Sequence, residues 1–184
     1  MKTIGVLLAT LALSGCAAMS EAECRTGDWY GVGESDGRAG QPSRLGSYAE
    51  ACQKAGVLPD PAEYSRGRER GLLSYCTPES GYRAGVSGQS YQNVCMPERQ
   101  AAFLQEYERG RVRYELRRDI DALEQDMSRW SREMQRVDGL LAKKPANEEE
   151  RRKLLRERDG YERERRDGRM RLLILQSRYS LLPD

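Results

Sequence analysis

The sequence of 184 residues contains no histidine. The chain therefore lacks the Ser-His and Cys-His pairs on which most nucleophilic hydrolases depend. Zinc sites usually combine histidines with closely spaced cysteines, and here no two cysteines form a CxxC pair. The formal net charge is only +2, which gives no support to a nucleic-acid partner. We expect a protein that is not an enzyme, holds no metal or other cofactor, and does not bind nucleic acid.

Long apolar segments are also missing, because the longest such run, residues 4–13, is too short to cross a membrane. It follows Lys2 and ends in LSGC at residues 13–16, the pattern of a bacterial lipobox, whose cysteine carries diacylglycerol on its sulfur. We expect residues 1–15 to be a signal peptide and Cys16 to carry acyl chains such as palmitate, which anchor the chain to a membrane. The alternative is an ordinary secretory signal peptide that is cut elsewhere.

Ala17 follows the lipobox cysteine in place of aspartate. By resemblance to known lipoproteins, this residue favours sorting to the outer membrane, on its periplasmic face. The periplasm is oxidising, and four cysteines remain after Cys16, so we expect two disulfides, for which three pairings exist. Expected antiparallel helices at about 28–39 and 43–54 would bring Cys52 near Cys24. We therefore prefer the pairs Cys24–Cys52 and Cys76–Cys95.

Glycine recurs beside tyrosine at a fixed spacing in the first half of the chain. Tyrosine is followed by glycine three and seven residues later in YGVGESDG (30–37) and YSRGRERG (64–71), and related patterns start at Tyr82 and Tyr107. On a helix these offsets lie on one face. Because each helical glycine costs about 1 kcal/mol relative to alanine, we expect an offsetting close contact with a second helix. The proposed packing glycines are Gly33, Gly37, Gly67 and Gly71.

The same region also allows a binding site. Aromatic and arginine side chains could line a periplasmic cleft for a glycan, a peptide or an anion; the candidates are Trp29, Tyr30, Tyr64, Arg66, Arg70, Tyr82 and Arg83. A dinucleotide loop is not expected, because GVGESDG at 31–37 has the wrong spacing and no surrounding βαβ unit. A cell-wall hydrolase that uses Glu34 with Asp36 or Asp28 is the least favoured alternative.

The second half of the chain predicts two long helices. Apolar residues recur at alternating spacings of four and three, which is typical of a coiled-coil seam: Leu116, Ile120, Leu123, Met127, Trp130, Met134, Val137 and Leu141. Pro145 ends this run, and Asn147 can cap a returning helix over about 148–180. With the turn centred there, Met134 would face Leu155, Trp130 and Met127 would face Tyr161, Ile120 would face Met170, and Leu116 would face Leu173.

Charged residues fill the middle of the returning helix, so the strip around Leu123 and Met127 would be covered poorly. A partner protein or a second copy could bind there, although arginine stems could also cover it. We expect an all-α fold with three parts: a signal peptide at 1–15, a small disulfide-bonded, glycine-rich helical head at 16–97, and a long antiparallel coiled-coil hairpin at 98–184. Its expected role is that of a structural or protein-interaction scaffold.

The positions of cysteine, glycine and tyrosine together resemble a bacterial lipoprotein family known as domain of unknown function 2799. The resemblance rests on the four cysteines of the head, on DWYGVGESDG at 28–37, on YSRGRERGLLSYCTP at 64–78 and on GYRAGVSG at 81–88. It covers about residues 14–115 and implies a lipoprotein without implying an activity. The hairpin after Tyr114 lies outside it.

Overall fold

The computed structural model describes residues 19–183, and this part of the chain is helical without any strand. The predicted all-α fold class is therefore confirmed. The seven α-helices are α1 (Glu21–Thr26), α2 (Trp29–Arg38), α3 (Leu45–Cys52, followed by a 3₁₀ turn at Gln53–Ala55), α4 (Pro61–Tyr75), α5 (Pro78–Val86), α6 (Pro97–Ala142) and α7 (Glu148–Ser180). The signal peptide and Cys16 lie outside the described residues.

Helix starts follow local sequence signals. The Asp60 carboxylate accepts hydrogen bonds from the backbone N–H groups of Ala62 and Glu63, with Pro61 in the first turn. The Asn147 side chain caps α7 in the same way, at 2.8 Å from the backbone nitrogen of Glu150. The helix expected at about 43–54 begins slightly later, because α3 starts only after Arg44, which forms no side-chain cap. Among residues 19–183, no helix is long and apolar enough to span a membrane.

Packing divides the described residues into two units. The first comprises 19–76 and 92–96, in which α2 packs on α4. The second comprises 77–91 and 97–183, in which α6 packs on both α5 and α7. The expected boundary at residue 97 does not coincide with this division, because α5, a helix of nine residues before it, packs on the long helix α6.

Both preferred disulfides form in the first unit. Cys24 pairs with Cys52 across a Cα–Cα distance of 5.5 Å, and Cys76 pairs with Cys95 across 5.6 Å. The first of these bridges lies in a core of aromatic and sulfur-containing side chains, namely Met19, Trp29, Tyr48 and Tyr64. Each bridge removes conformational freedom from the unfolded chain, which suits a unit with few aliphatic core residues.

The long hairpin of α6 and α7 has the expected helices but a different register. On α6, the seam residues Leu116, Ile120, Leu123, Met134 and Val137 are buried. On α7, the positions that are not exposed include a series spaced alternately by four and three: Leu154, Arg158, Tyr161, Arg165, Gly168, Leu172, Leu175 and Tyr179. The hairpin is thus a coiled coil whose second seam includes two arginines and one glycine.

The predicted cross-hairpin pairs of Ile120 with Met170 and of Leu116 with Leu173 are wrong. Met170 and Leu173 are each 62% exposed. Instead, Gly168 is buried and lies against Trp130 and Met127, so the indole ring takes the space that a side chain would need. The prediction failed because it matched apolar residues with apolar residues and gave no weight to a glycine that accommodates a tryptophan.

Candidate functional site

The packing glycines of the first unit lie where α2 crosses α4. A Cβ atom added to Gly33 would overlap the backbone carbonyl of Tyr64, and one added to Gly67 would overlap the backbone carbonyl of Tyr30. Gly37 and Gly71 meet the opposite backbone in the same reciprocal way. The two backbones are therefore in direct contact. No space remains between them for a ligand.

The second unit contains the same crossing, formed by α5 and α6. Added Cβ atoms on Gly81 and Gly85 would overlap backbone carbonyls of α6, and one on Gly110 would overlap the Tyr82 carbonyl of α5. In both units the first helix is followed, two residues after its end, by a glycine with positive φ that lies against a tyrosine ring of the second helix. These contacts are Gly40 (φ +64°) with Tyr75 and Gly88 (φ +72°) with Tyr114.

The two crossings are a structural repeat. Gly33, Gly37 and Gly40 correspond to Gly81, Gly85 and Gly88, each 48 residues later, and Gly71 and Tyr75 correspond to Gly110 and Tyr114, each 39 residues later. Backbone hydrogen bonds after the first helix correspond too, from Gln41 to Asp36 and from Gln89 to Ala84. Sequence comparison missed the repeat because it aligned α2 with its own packing partner α4, and because the two offsets differ.

A buried acid joins two tyrosines in the first unit. Asp36 is 6% exposed, and its carboxylate accepts hydrogen bonds from the hydroxyl of Tyr48 at 3.0 Å and from that of Tyr64 at 2.8 Å. The Arg44 guanidinium lies 3.7 Å from the same carboxylate, and the Arg44 backbone N–H donates to the Tyr64 hydroxyl. Hydrogen bonds and a nearby cation are what a buried carboxylate needs to be tolerated.

These contacts keep the two tyrosines protonated. Burial, followed by the hydrogen bond to Asp36, raises the pKa of Tyr48 to about 12. Burial also raises the pKa of Tyr64. A phenol that is fully protonated at neutral pH and bound to a buried carboxylate is neither a nucleophile nor a general base. In the sequence, the signal for this cluster is an acidic residue, Asp36, on the glycine-rich face of α2. The sequence alone suggests for Asp36 only a catalytic role in the least favoured alternative, a cell-wall hydrolase.

The predicted ligand-binding residues of the first unit differ widely in exposure. Trp29 is 6% exposed and Tyr64 only 1%, so both belong to the core. Tyr30 is 38% exposed. Arg66 is exposed but paired with Glu63, and Arg70 is exposed.

The remaining two candidates lie in the second unit. Tyr82 is half-buried beneath the Arg109 guanidinium, which lies 5.9 Å from the ring centroid. Arg83 donates to the Ser80 hydroxyl at 2.9 Å. The candidate set is thus divided between two separate helix pairs.

The proposed catalytic carboxylates each have a structural partner. Glu34 pairs with Arg38 at 2.6 Å, and Asp28 accepts the Gly31 backbone N–H at 2.9 Å as the cap of α2. Asp36 binds the two tyrosines. Across residues 19–183, no cluster of acidic and cysteine side chains is suited to hold a metal ion.

The hairpin carries an open groove between α6 and α7, which we call the hairpin groove. It has a volume of about 530 Å³, an apolar floor, and three acidic side chains on its rim; its lining is Ala122, Leu123, Trp130, Ile174 and Leu175, with Asp119, Asp126, Glu164 and Arg171. Leu123 itself is only 6% exposed, and Met127 is half-buried. Leu123 and Met127 are therefore not the exposed strip that the sequence predicted. The residues open to solvent lie beside them, at Ala122 and the half-buried Trp130.

Part of the chain matches the model of a known sequence family. The model of a family described as protein of unknown function, DUF2799, matches residues 28–112. The match includes both glycine crossings, from α2 through the first third of α6, and excludes the rest of the hairpin. No curated protein and no solved structure matches the chain. Residues 28–112 of this chain are thus similar to the DUF2799 family, whose function is unknown.

Proposed function

We propose that the protein is an outer-membrane-anchored periplasmic lipoprotein, which acts as a non-enzymatic scaffold and binds another protein through its C-terminal hairpin. The observation that carries the proposal is a contrast in burial. Most aromatic side chains of the first unit are packed inside it, with Tyr30 as the exposed exception, whereas the hairpin presents apolar side chains to solvent in a groove that charged residues also line. Apolar surface rimmed by polar residues is typical of protein-interaction sites.

The hairpin groove suits the side chains of a partner better than a metabolite. Its floor is apolar, and three carboxylates against one arginine give its rim a net negative charge. A basic segment with one or two large apolar side chains would complement both features. The α6 helix, with 46 residues, extends for about 70 Å at about 1.5 Å per residue, which gives such a partner a long contact surface.

The membrane anchor is supported by the lipobox pattern at residues 13–16, which precedes the described residues. Two or more acyl chains on Cys16 would hold the protein at the membrane without a spanning helix. Two disulfides in the first unit fit an oxidising compartment.

The alternative, a ligand-binding head, has less support. Its central candidates, Trp29 and Tyr64, are buried, and the Tyr64 hydroxyl is already bound to Asp36. A cell-wall hydrolase has less still, because each carboxylate proposed for it already has a structural partner.

Site-specific photo-crosslinking in living cells tests the interaction surface. A photoreactive residue replaces Ala122, which is exposed at the hairpin groove, and in a matched control it replaces Leu58, which is 82% exposed in the first unit. We expect a discrete crosslinked product from position 122 and none from position 58. The same product from both positions, or none from position 122, would refute the groove as the binding surface.

A further inference from the structure

Large exposed apolar side chains lie along the C-terminal part of α7 and at Leu181, which directly follows its last residue; one of them, Ile174, also lines the hairpin groove. Met170 and Leu173 are 62% exposed, Ile174 is 53% exposed and Leu181 is 80% exposed. Successive helical residues are about 100° apart, so all four lie on the side opposite the buried Gly168. We call this row the outer face of α7. Single exposed apolar residues are normal on protein surfaces, but here four of them share one side of the helix.

Arginines border the outer face on both sides. Arg169 lies on one side, and Arg171 and Arg178 lie on the other, as the helical spacing requires. No ion pair or hydrogen bond joins the guanidinium group of any of the three to another described residue, although Arg171 also lines the hairpin groove. The same holds for three exposed arginines nearer the start of α7, which are Arg152, Arg156 and Arg163. The outer face therefore combines exposed apolar surface with bordering arginines that form no ion pair with a described carboxylate, while Asp167 on the same border lies 3.8 Å from Arg166.

We propose that the outer face of α7 binds the surface of an anionic lipid bilayer. A helix with leucine, isoleucine and methionine on one side and arginines along its borders has the composition of an interfacial helix. The apolar side chains would enter the boundary between headgroups and acyl chains. The arginines would reach the lipid phosphates, because a guanidinium binds phosphate through two parallel hydrogen bonds and its stem lies along apolar surface.

Charge argues against a second copy of this chain as the occupant. In an antiparallel dimer, the two outer faces could meet with Leu173 of one copy against Ile174 of the other. This register would place Arg169 of one copy beside Arg178 of the other. Like charges held directly opposite each other destabilise such a contact. An anionic bilayer has the opposite effect, since each added arginine strengthens the attraction.

The proposal agrees with the proposed lipid anchor but does not need it. An anchor at Cys16 would keep the bilayer at a high local concentration and so strengthen a weak contact. The contact itself resides in α7. The test therefore uses residues 17–184, which lack the anchor and keep the whole described fold. Its failure would leave the crosslink at Ala122 and the lipid on Cys16 untouched, so the two proposals can fail separately.

Vesicle co-sedimentation provides the test. The probes are vesicles of phosphatidylethanolamine with phosphatidylglycerol, which are anionic, and vesicles of phosphatidylcholine alone, which are neutral. Two double variants separate the contributions: Leu173→Gln with Ile174→Gln removes apolar surface, and Arg169→Gln with Arg178→Gln removes charge. Leu58→Gln is the matched control. Circular dichroism checks that each variant keeps its helical content.

We expect the unchanged chain to bind anionic vesicles, and each double variant to bind them at least about tenfold more weakly. Leu58→Gln should bind like the unchanged chain, and added salt should weaken binding. Equal binding to both kinds of vesicle, or double variants that bind like the unchanged chain, would overturn the proposal. So would a dimer, detected by analytical ultracentrifugation, that the Leu173→Gln and Ile174→Gln pair abolishes while vesicle binding is absent.

Discussion

Two glycines of α6 lie in opposite environments, and replacing each with alanine separates packing from helix propensity. At Gly110, an added Cβ overlaps the Tyr82 carbonyl oxygen and lies 2.8 Å from the Val86 nitrogen of α5. At Gly139, nothing lies within 4 Å of the added atom. Both residues are in the same helix, Gly110 in its interior and Gly139 in its last turn, so alanine increases helix propensity at both positions and by less at Gly139.

The two substitutions are expected to change the free energy of unfolding in opposite directions. Alanine in place of glycine stabilises a helix interior by about 1 kcal/mol. Overpacking costs about 1–3 kcal/mol and more where the neighbouring atoms cannot move aside; here they are backbone atoms of α5. We therefore expect Gly110→Ala to lower the free energy of unfolding by about 2 kcal/mol. Gly139→Ala should raise it by less than about 1 kcal/mol, because the full gain applies only in a helix interior.

Thermal unfolding followed by circular dichroism, with the disulfides oxidised, measures the difference. For a chain of this length, about 2 kcal/mol corresponds to a fall in Tm of roughly 4–8 °C. Gly139→Ala should raise Tm by a smaller amount. If Gly110→Ala is as stable as the unchanged protein, the α5–α6 crossing is not held by close backbone contact, and the proposed repeat of the α2–α4 crossing loses its physical basis.

Two further predictions concern the first unit. Replacing Cys24 and Cys52 together by serine should lower the free energy of unfolding, measured by urea denaturation, by about 3 kcal/mol. Peptide mapping without reduction should find the pairs Cys24–Cys52 and Cys76–Cys95. Any other pairing would contradict the fold. The second prediction follows from the raised pKa of Tyr48, about 12 in the folded state, against about 10 in an unfolded chain. The folded protein holds this proton more tightly, so the contribution to stability is complete below pH 10 and is lost as pH rises towards 12. Tyr48→Phe should weaken that alkaline dependence in pH-resolved unfolding, and an unchanged dependence would show that Tyr48 does not cause it.

Local signals in the sequence were sufficient to predict most helix boundaries. The α7 helix spans the predicted residues, because Asn147 and Pro145 determine where it starts. The α5 helix was underestimated, since its glycine and serine content suggested a loop. Thr77 followed by Pro78 is the same start signal as Asp60 followed by Pro61, and it could have identified this helix.

The hairpin register and the Asp36–tyrosine cluster could not be predicted from the sequence, because both depend on contacts between residues far apart in the chain. The hairpin register depends on Gly168 accepting the Trp130 ring, and on ion pairs of Arg136 with Glu157 and of Arg158 with Asp138. A search for matching apolar residues cannot find contacts of these kinds. Asp36 was likewise recognisable as an acid but not as the partner of two tyrosines, because those tyrosines are 12 and 28 residues away.

The proposal of a lipid-anchored scaffold is tested most directly at the start of the mature chain. Mass spectrometry of the N-terminal peptide, from protein isolated out of its own membrane, identifies the first residue and any attached lipid. We predict a chain that begins at Cys16 and carries acyl groups, and we predict that Cys16→Ser prevents this processing. A chain that begins at another residue, or an unmodified Cys16, would contradict the proposed anchoring.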